Sequence, residues 1–167
     1  MNTLSITRRR FVQISALLAA ALTACSKTAP HAALPTGSTI LALGDSLTAG
    51  YGADATAAYP AVLAGFTGWQ VINGGVSGNT SAQALARLPA LMRRQPQLVL
   101  VSIGGNDFLR KVPEADTRSN IRQIVQQIKA AGVPAVLLAV PHSTTGAPFG
   151  RLSEHPMYED LAAELTV

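Results

Sequence analysis

Four short apolar runs alternate with amphipathic segments along most of this chain, and no other feature constrains its fold as much. The runs cover residues 38–43, 69–72, 97–103 and 133–140. Each is bounded by glycine, proline or polar turn residues and is too short for a typical helix, which predicts buried strands. Between the first two, Tyr59, Val62, Leu63 and Phe66 recur at helical spacing over 57–66, with Pro60 tolerable only in a first turn. Thr80 or Ser81 can cap a helix bearing Leu85, Leu88 and Met92 on one face, which Pro89 is expected to kink or divide. Over 117–131, Ile121, Ile124, Val125 and Ile128 form a single stripe that Gly132 ends. Residues 157–165 predict a last helix.

Strands alternating with helices imply an α/β domain, an open parallel sheet with helices on both faces, in a flavodoxin-like arrangement. Right-handed crossovers then gather every strand C-terminus on one rim. Gly44-Asp45-Ser46, the stretch from Gly75 to Asn79, Gly104 to Asp107, and His142 all fall there. Ser46 can serve as a nucleophile if a base and donors for a developing alkoxide are at hand. Gly78 leaves its N–H open to a bound oxygen, and Asn106 can direct a side-chain NH₂ into the same cleft. With the Ser46 amide, three donors would converge on a tetrahedral oxyanion. The simpler reading of Ser46 is a turn or cap residue, of Gly-Gly-Asn-Asp a tight turn, and of Ser-Gly-Asn-Thr a helix cap. These structural roles do not exclude the chemical ones.

The first 37 residues are of another kind. Arg8, Arg9 and Arg10 precede an uncharged stretch over 11–22, followed by Leu22-Thr23-Ala24-Cys25. That stretch is shorter than the ~20 residues that cross a bilayer, which predicts an export signal over 1–24. Thr7-Arg-Arg-Arg-Phe-Val12 resembles the twin-arginine motif, and Leu22 to Cys25 resembles a bacterial lipobox whose cysteine is lipidated. Cys25 would then attach the domain to a membrane through a tether over 25–37, in the periplasm or on the outer membrane. Three of the thirteen basic residues lie in the leader, so the body is close to neutral against nine acidic residues. No basic run remains to bind nucleic acid. One cysteine and scattered histidines argue against zinc and against an internal disulfide. The rim glycines fit neither common nucleotide-binding pattern.

Gly44-Asp-Ser-Leu-Thr-Ala-Gly-Tyr-Gly52 resembles the first sequence block of the GDSL, or SGNH, hydrolases. Asn73-Gly-Gly-Val-Ser-Gly-Asn-Thr-Ser81 is similar to the second block and Gly104-Gly-Asn-Asp107 to the third. The likeness extends from about residue 39 to the end of the chain and is greatest for the thioesterase, lysophospholipase and arylesterase branch. It implies an exported serine esterase that cleaves small-molecule acyl esters or lipids through an acyl-enzyme on Ser46, without metal or organic cofactor. Gly78 and Asn106 would complete its oxyanion hole.

The family's fourth signature, an Asp-x-x-His that supplies the base, does not occur. His31 lies in the tether, His155 is expected in a loop ahead of the last helix, and His142 follows the fourth strand. The resemblance therefore leads us to expect a domain over 38–167 that lacks its last strand and helix at the C-terminus, with the fourth strand as an exposed edge. The alternative it leaves is an inactive, membrane-tethered relative.

Overall fold

The computed structural model describes residues 33–143 and 152–167. Cys25, His31 and the leader lie outside them. Twelve elements follow in order: β1 (Thr39–Gly44), α1 (Ser46–Ala49), α2 (Tyr59–Thr67), β2 (Gln70–Gly75), α3 (Ser81–Met92), β3 (Leu98–Ser102), α4 (Gly105–Leu109), α5 (Glu114–Ala130), β4 (Ala135–Leu137), β5 (Pro141–Ser143), β6 (Leu152–Glu154) and α6 (Met157–Leu165). The first four strands form one parallel sheet in the order β2-β1-β3-β4, and β5 and β6 make a separate antiparallel pair. The open α/β architecture is the expected one.

Period-two alternation divides the central strands between two faces. Leu41 and Leu43 of β1, with Val99 and Val101 of β3, join Leu88 of α3, the apolar stripe of α5, and Met157 and Leu161 of α6 in one core. Ile40, Ala42 and Leu100 have the opposite parity and are also buried. Strands buried on both faces need continuous apolar runs, and β1 and β3 have them.

Local chemistry sets the helix ends. α2 takes Pro60 in its first turn, where a missing N–H costs nothing, and Gly68 closes it at φ 68°. α3 opens with a reciprocal capping box: the Thr80 hydroxyl accepts from the Gln83 N–H, and the Thr80 N–H donates to Gln83 Oε1 at 2.9 Å. Pro89 does not divide α3. The helix runs three residues past it, absorbing the loss of the one bond that the Pro89 nitrogen would have donated to the Leu85 carbonyl. α5 begins at Glu114, before the expected start, with Glu114 and Asp116 placed favourably against the positive end of its dipole.

β4 is the largest departure from expectation, spanning three residues of the apolar run over 133–140. Its register continues briefly beyond those limits, with the Val99 N–H donating to the Pro134 carbonyl and the Leu138 N–H to that of Val101. Among the described residues β4 is a sheet edge, and Val136 is 39% exposed there. At the other end of the domain, residues assigned to the tether are hydrogen-bonded to it: Trp69 Nε1 donates to the Leu34 carbonyl and the Gly37 N–H to that of Gly68.

Candidate active site

Register brings the three rim segments together. Gly44, the last residue of β1, lies level with Gly75 of β2 and Ser102 of β3. Ser46, Gly78 and Asn106 follow those positions by a few residues each, so all three leave the sheet from one rung. The turn after β1 is tight because the buried Asp45 caps α1, its Oδ1 accepting the Leu47 N–H at 3.0 Å. Ser46 is half-buried at the first position of that helix. Its carbonyl accepts from the Gly50 and Tyr51 N–H groups. Among the described residues its hydroxyl takes no partner, and its N–H, in the first turn of α1, has no intrahelical acceptor.

The rim glycines answer different demands. A Cβ on Gly44 would lie 2.0 Å from Thr48 Oγ1, and one on Gly75 would lie 2.2 Å from the Ala49 nitrogen. These two glycines let α1 sit directly against the strand ends. Gly78 is not crowded in this way: the nearest atom to its hypothetical Cβ is Arg110 Nη2 at 3.5 Å, and its φ of +80° is what calls for glycine. The following peptide is held at both ends, since Arg110 donates to the Gly78 carbonyl at 2.8 Å and the Asn79 N–H donates to the Val76 carbonyl at 3.0 Å.

Asn106 bridges the segments. Its Nδ2 donates to the Asn79 carbonyl at 3.0 Å and to Asp45 Oδ2 at 3.3 Å, linking the loops that follow β1, β2 and β3. Both amide protons are engaged, the one on Asp45 in the longer contact. Burial raises the Asp45 carboxyl above its ordinary value of 3.8; the Leu47 N–H opposes that rise, while the neighbouring Asp107 adds to it.

Residues 42–166 match the family described as GDSL-like Lipase/Acylhydrolase. The chain belongs to that family. It is 49% identical over 107 residues to "Thioesterase 1/protease 1/lysophospholipase L1" of Escherichia coli, an alignment covering 61% of this chain and 50% of that protein. It is 38% identical over 109 residues to "Esterase TesA" of Pseudomonas aeruginosa, covering 61% and 54%. The chain thus spans about half the length of the curated relatives it matches. Among solved structures it is similar to AlinE4, an SGNH-hydrolase family esterase, with a TM-score of 0.68 at 31% identity over 81% of this chain and 76% of that one. A crystal structure of TesA gives a TM-score of 0.67 at 31% identity over 77% and 75%.

Two residues of this GDSL-like domain support the rim in roles that the sequence did not assign to them, although Asp107 closes the third sequence block. Asp107, 1% exposed, accepts from the Ser81 N–H at 2.8 Å and from the Ser81 hydroxyl at 2.6 Å, and Thr117 Oγ1 lies 3.4 Å away. It ties α4 to the start of α3. Arg87, on α3, donates from Nε to Asn79 Oδ1 at 2.8 Å, from Nη1 to the Gly74 carbonyl at 2.5 Å, and from Nη2 to the Gly44 carbonyl at 2.6 Å. Three acceptors spread over two loops leave no local pattern in sequence. Two signals were available: an arginine on a helix face that otherwise packs inward, and its place in Ala84-Leu-Ala-Arg-Leu-Pro-Ala90, a stretch that fits the family resemblance.

One histidine side chain, that of His155, is among the described ones, and it packs against the third rim segment. His155 lies between β6 and α6, as expected of a loop residue. Its ring stacks on Phe108 with centroids 4.7 Å apart, and its Nδ1 accepts from the Met157 N–H at 3.3 Å. His142 belongs to β5, opposite Ser153 of β6, and β5 lies against α4. Tyr158 backs the third segment from behind, its hydroxyl donating to the Ile103 carbonyl at 2.8 Å; burial pushes that phenol up, and Asp107 and Asp45 push it further.

Proposed function

We propose that this domain carries the acyl-transfer half of a serine hydrolase acting on acyl esters or thioesters, with Ser46 as nucleophile. The observation that carries the reading is the shared rung: Ser46, Gly78 and Asn106 leave adjacent parallel strands at one level, cross-linked by the Asn106 amide. The Ser46 oxygen adds to the acyl carbon as its proton passes to a base. The carbonyl oxygen gains charge, and the N–H groups of Ser46 and Gly78 receive it. Asn106 joins them by releasing its longer contact to Asp45 while keeping Asn79, so its side chain stays oriented. Each such donor is worth about 3 kcal/mol in the transition state. Collapse of the intermediate expels an alcohol or thiol, which takes the proton back from the base, and leaves an acyl group on Ser46; water then adds with the same base, releasing the carboxylic acid and restoring the Ser46 hydroxyl.

The names of the relatives support acyl thioesters and lysophospholipids as substrates. The leader supports export, and the lipobox-like Leu22 to Cys25 supports attachment through a lipidated cysteine. Cys25→Ser should leave the chain out of the membrane fraction, and an unchanged distribution would refute the anchor.

One sequence fact favours a second reading, that the chain binds acyl esters without turning them over: no histidine stands three residues after an aspartate. A fluorophosphonate probe separates the two. Rapid stoichiometric labelling of the full chain at Ser46, absent in Ser46→Ala, is the result for an activated nucleophile. Labelling no faster than that of Ser46→Ala rejects it.

A further inference from the structure

We infer that Arg87 is a positioning residue for the oxyanion-binding loop, its guanidinium fixing the turn after β2 to the end of β1 so that Gly78 and Asn106 face one point. The inference rests on the acyl-transfer reading for its catalytic consequence, but its structural content stands separately. Arg87 spends three nitrogens on three acceptors that, among the described residues, no other side chain shares: the last carbonyl of β1, the Gly74 carbonyl of β2, and the Asn79 side chain. Asn79 is the pivot. Its side chain accepts from Arg87 and its backbone carbonyl accepts from Asn106, so the arginine acts on Asn106 through one intervening residue.

The guanidinium is half-buried beneath these contacts, and burial opposes its charge. A cation held there against that opposition requires matched acceptors, which the planar fork of arginine supplies and a single ammonium cannot. Strand-end carbonyls carry partial negative charge that would disfavour a nearby oxyanion. Directing cationic donors onto two of them offsets that charge at the level of the rim.

The test uses the full chain with Arg87→Lys, which keeps the charge and loses the fork, and Arg87→Met, which loses both. Hydrogen exchange read by mass spectrometry on peptides covering 74–80 should speed up by on the order of tenfold in both variants, while peptides from β1 and β3 keep their protection. Fluorophosphonate labelling of Ser46 should slow by up to about 100-fold, with millimolar guanidinium restoring part of the rate in Arg87→Met. Unchanged exchange over 74–80, or loss of protection everywhere at once, overturns the positioning role. If the unaltered chain fails to label, the acyl-transfer reading falls and the exchange measurement alone still decides the role of Arg87.

Discussion

The two sides of this sheet are held together by different means. Above β1, β2 and β3, the loops are bound by side chains reaching across long sequence intervals: Asn106 to Asp45 and Asn79, Asp107 to Ser81, Arg87 to Gly44 and Gly74. Toward β4 the pairing is short, and the outer helix α6 is secured by apolar packing and by surface ion pairs from Arg118 to Asp160 and from Arg122 to Glu164. Polar groups buried at the rim must be satisfied and therefore fix geometry. Exposed ion pairs are screened and fix little. Precision is concentrated where the proposed chemistry lies.

The largest effect expected from breaking that contrast is functional. Ser46→Ala should reduce acyl-ester hydrolysis or probe labelling by at least about 10³-fold while thermal unfolding moves by no more than about 2 °C. Next comes Asp107→Ala, which leaves the Ser81 hydroxyl and N–H without their buried acceptor and should cost about 2–3 kcal/mol in denaturant unfolding. A loss below about 0.5 kcal/mol would place that pair with the surface contacts.

A subtler probe is pH. Because burial raises the Asp45 carboxyl, the folded chain binds its proton more tightly than the unfolded chain does. Stability from this group is therefore fully present below about pH 4 and falls as pH rises through the folded value. Asp45→Asn should flatten that part of the melting-temperature profile, and a slope identical to that of the unaltered chain would contradict the assignment. The smallest change belongs to the outer layer. Arg122→Ala, made at an exposed pair, should shift thermal unfolding within about 2 °C and leave rim exchange untouched.

The same contrast explains what the sequence could disclose. Strand runs, the Thr80 cap, Pro60 at a helix start and the α5 stripe are local signals, and each falls within or near the element it announces. The shared position of Ser46, Gly78 and Asn106 was legible because each follows a strand whose end topology places on one rim. Arg87 and Asp107 were not legible as supports, since their partners lie in other loops and any polar residue could have filled their places. β4 was overestimated for a related reason. Its apolar run supports a longer strand, but length is decided by pairing with β3 and by the chain's departure into β5, neither of which apolarity encodes. Pro89 shows the opposite error: its identity warned of a break, while the helix carries on through it at the cost of one hydrogen bond.

Gly44 and Gly75 have a consequence for how such motifs should be interpreted. Both are required by the close seating of α1 on the strand ends, whatever happens at Ser46. A chain of this fold without any acyl-transfer activity would still need both glycines simply to close this corner of the sheet. Their presence reports a folded scaffold, and the left-handed backbone at Gly78 asks for glycine on conformational grounds as well, so none of the three glycines by itself reports chemistry.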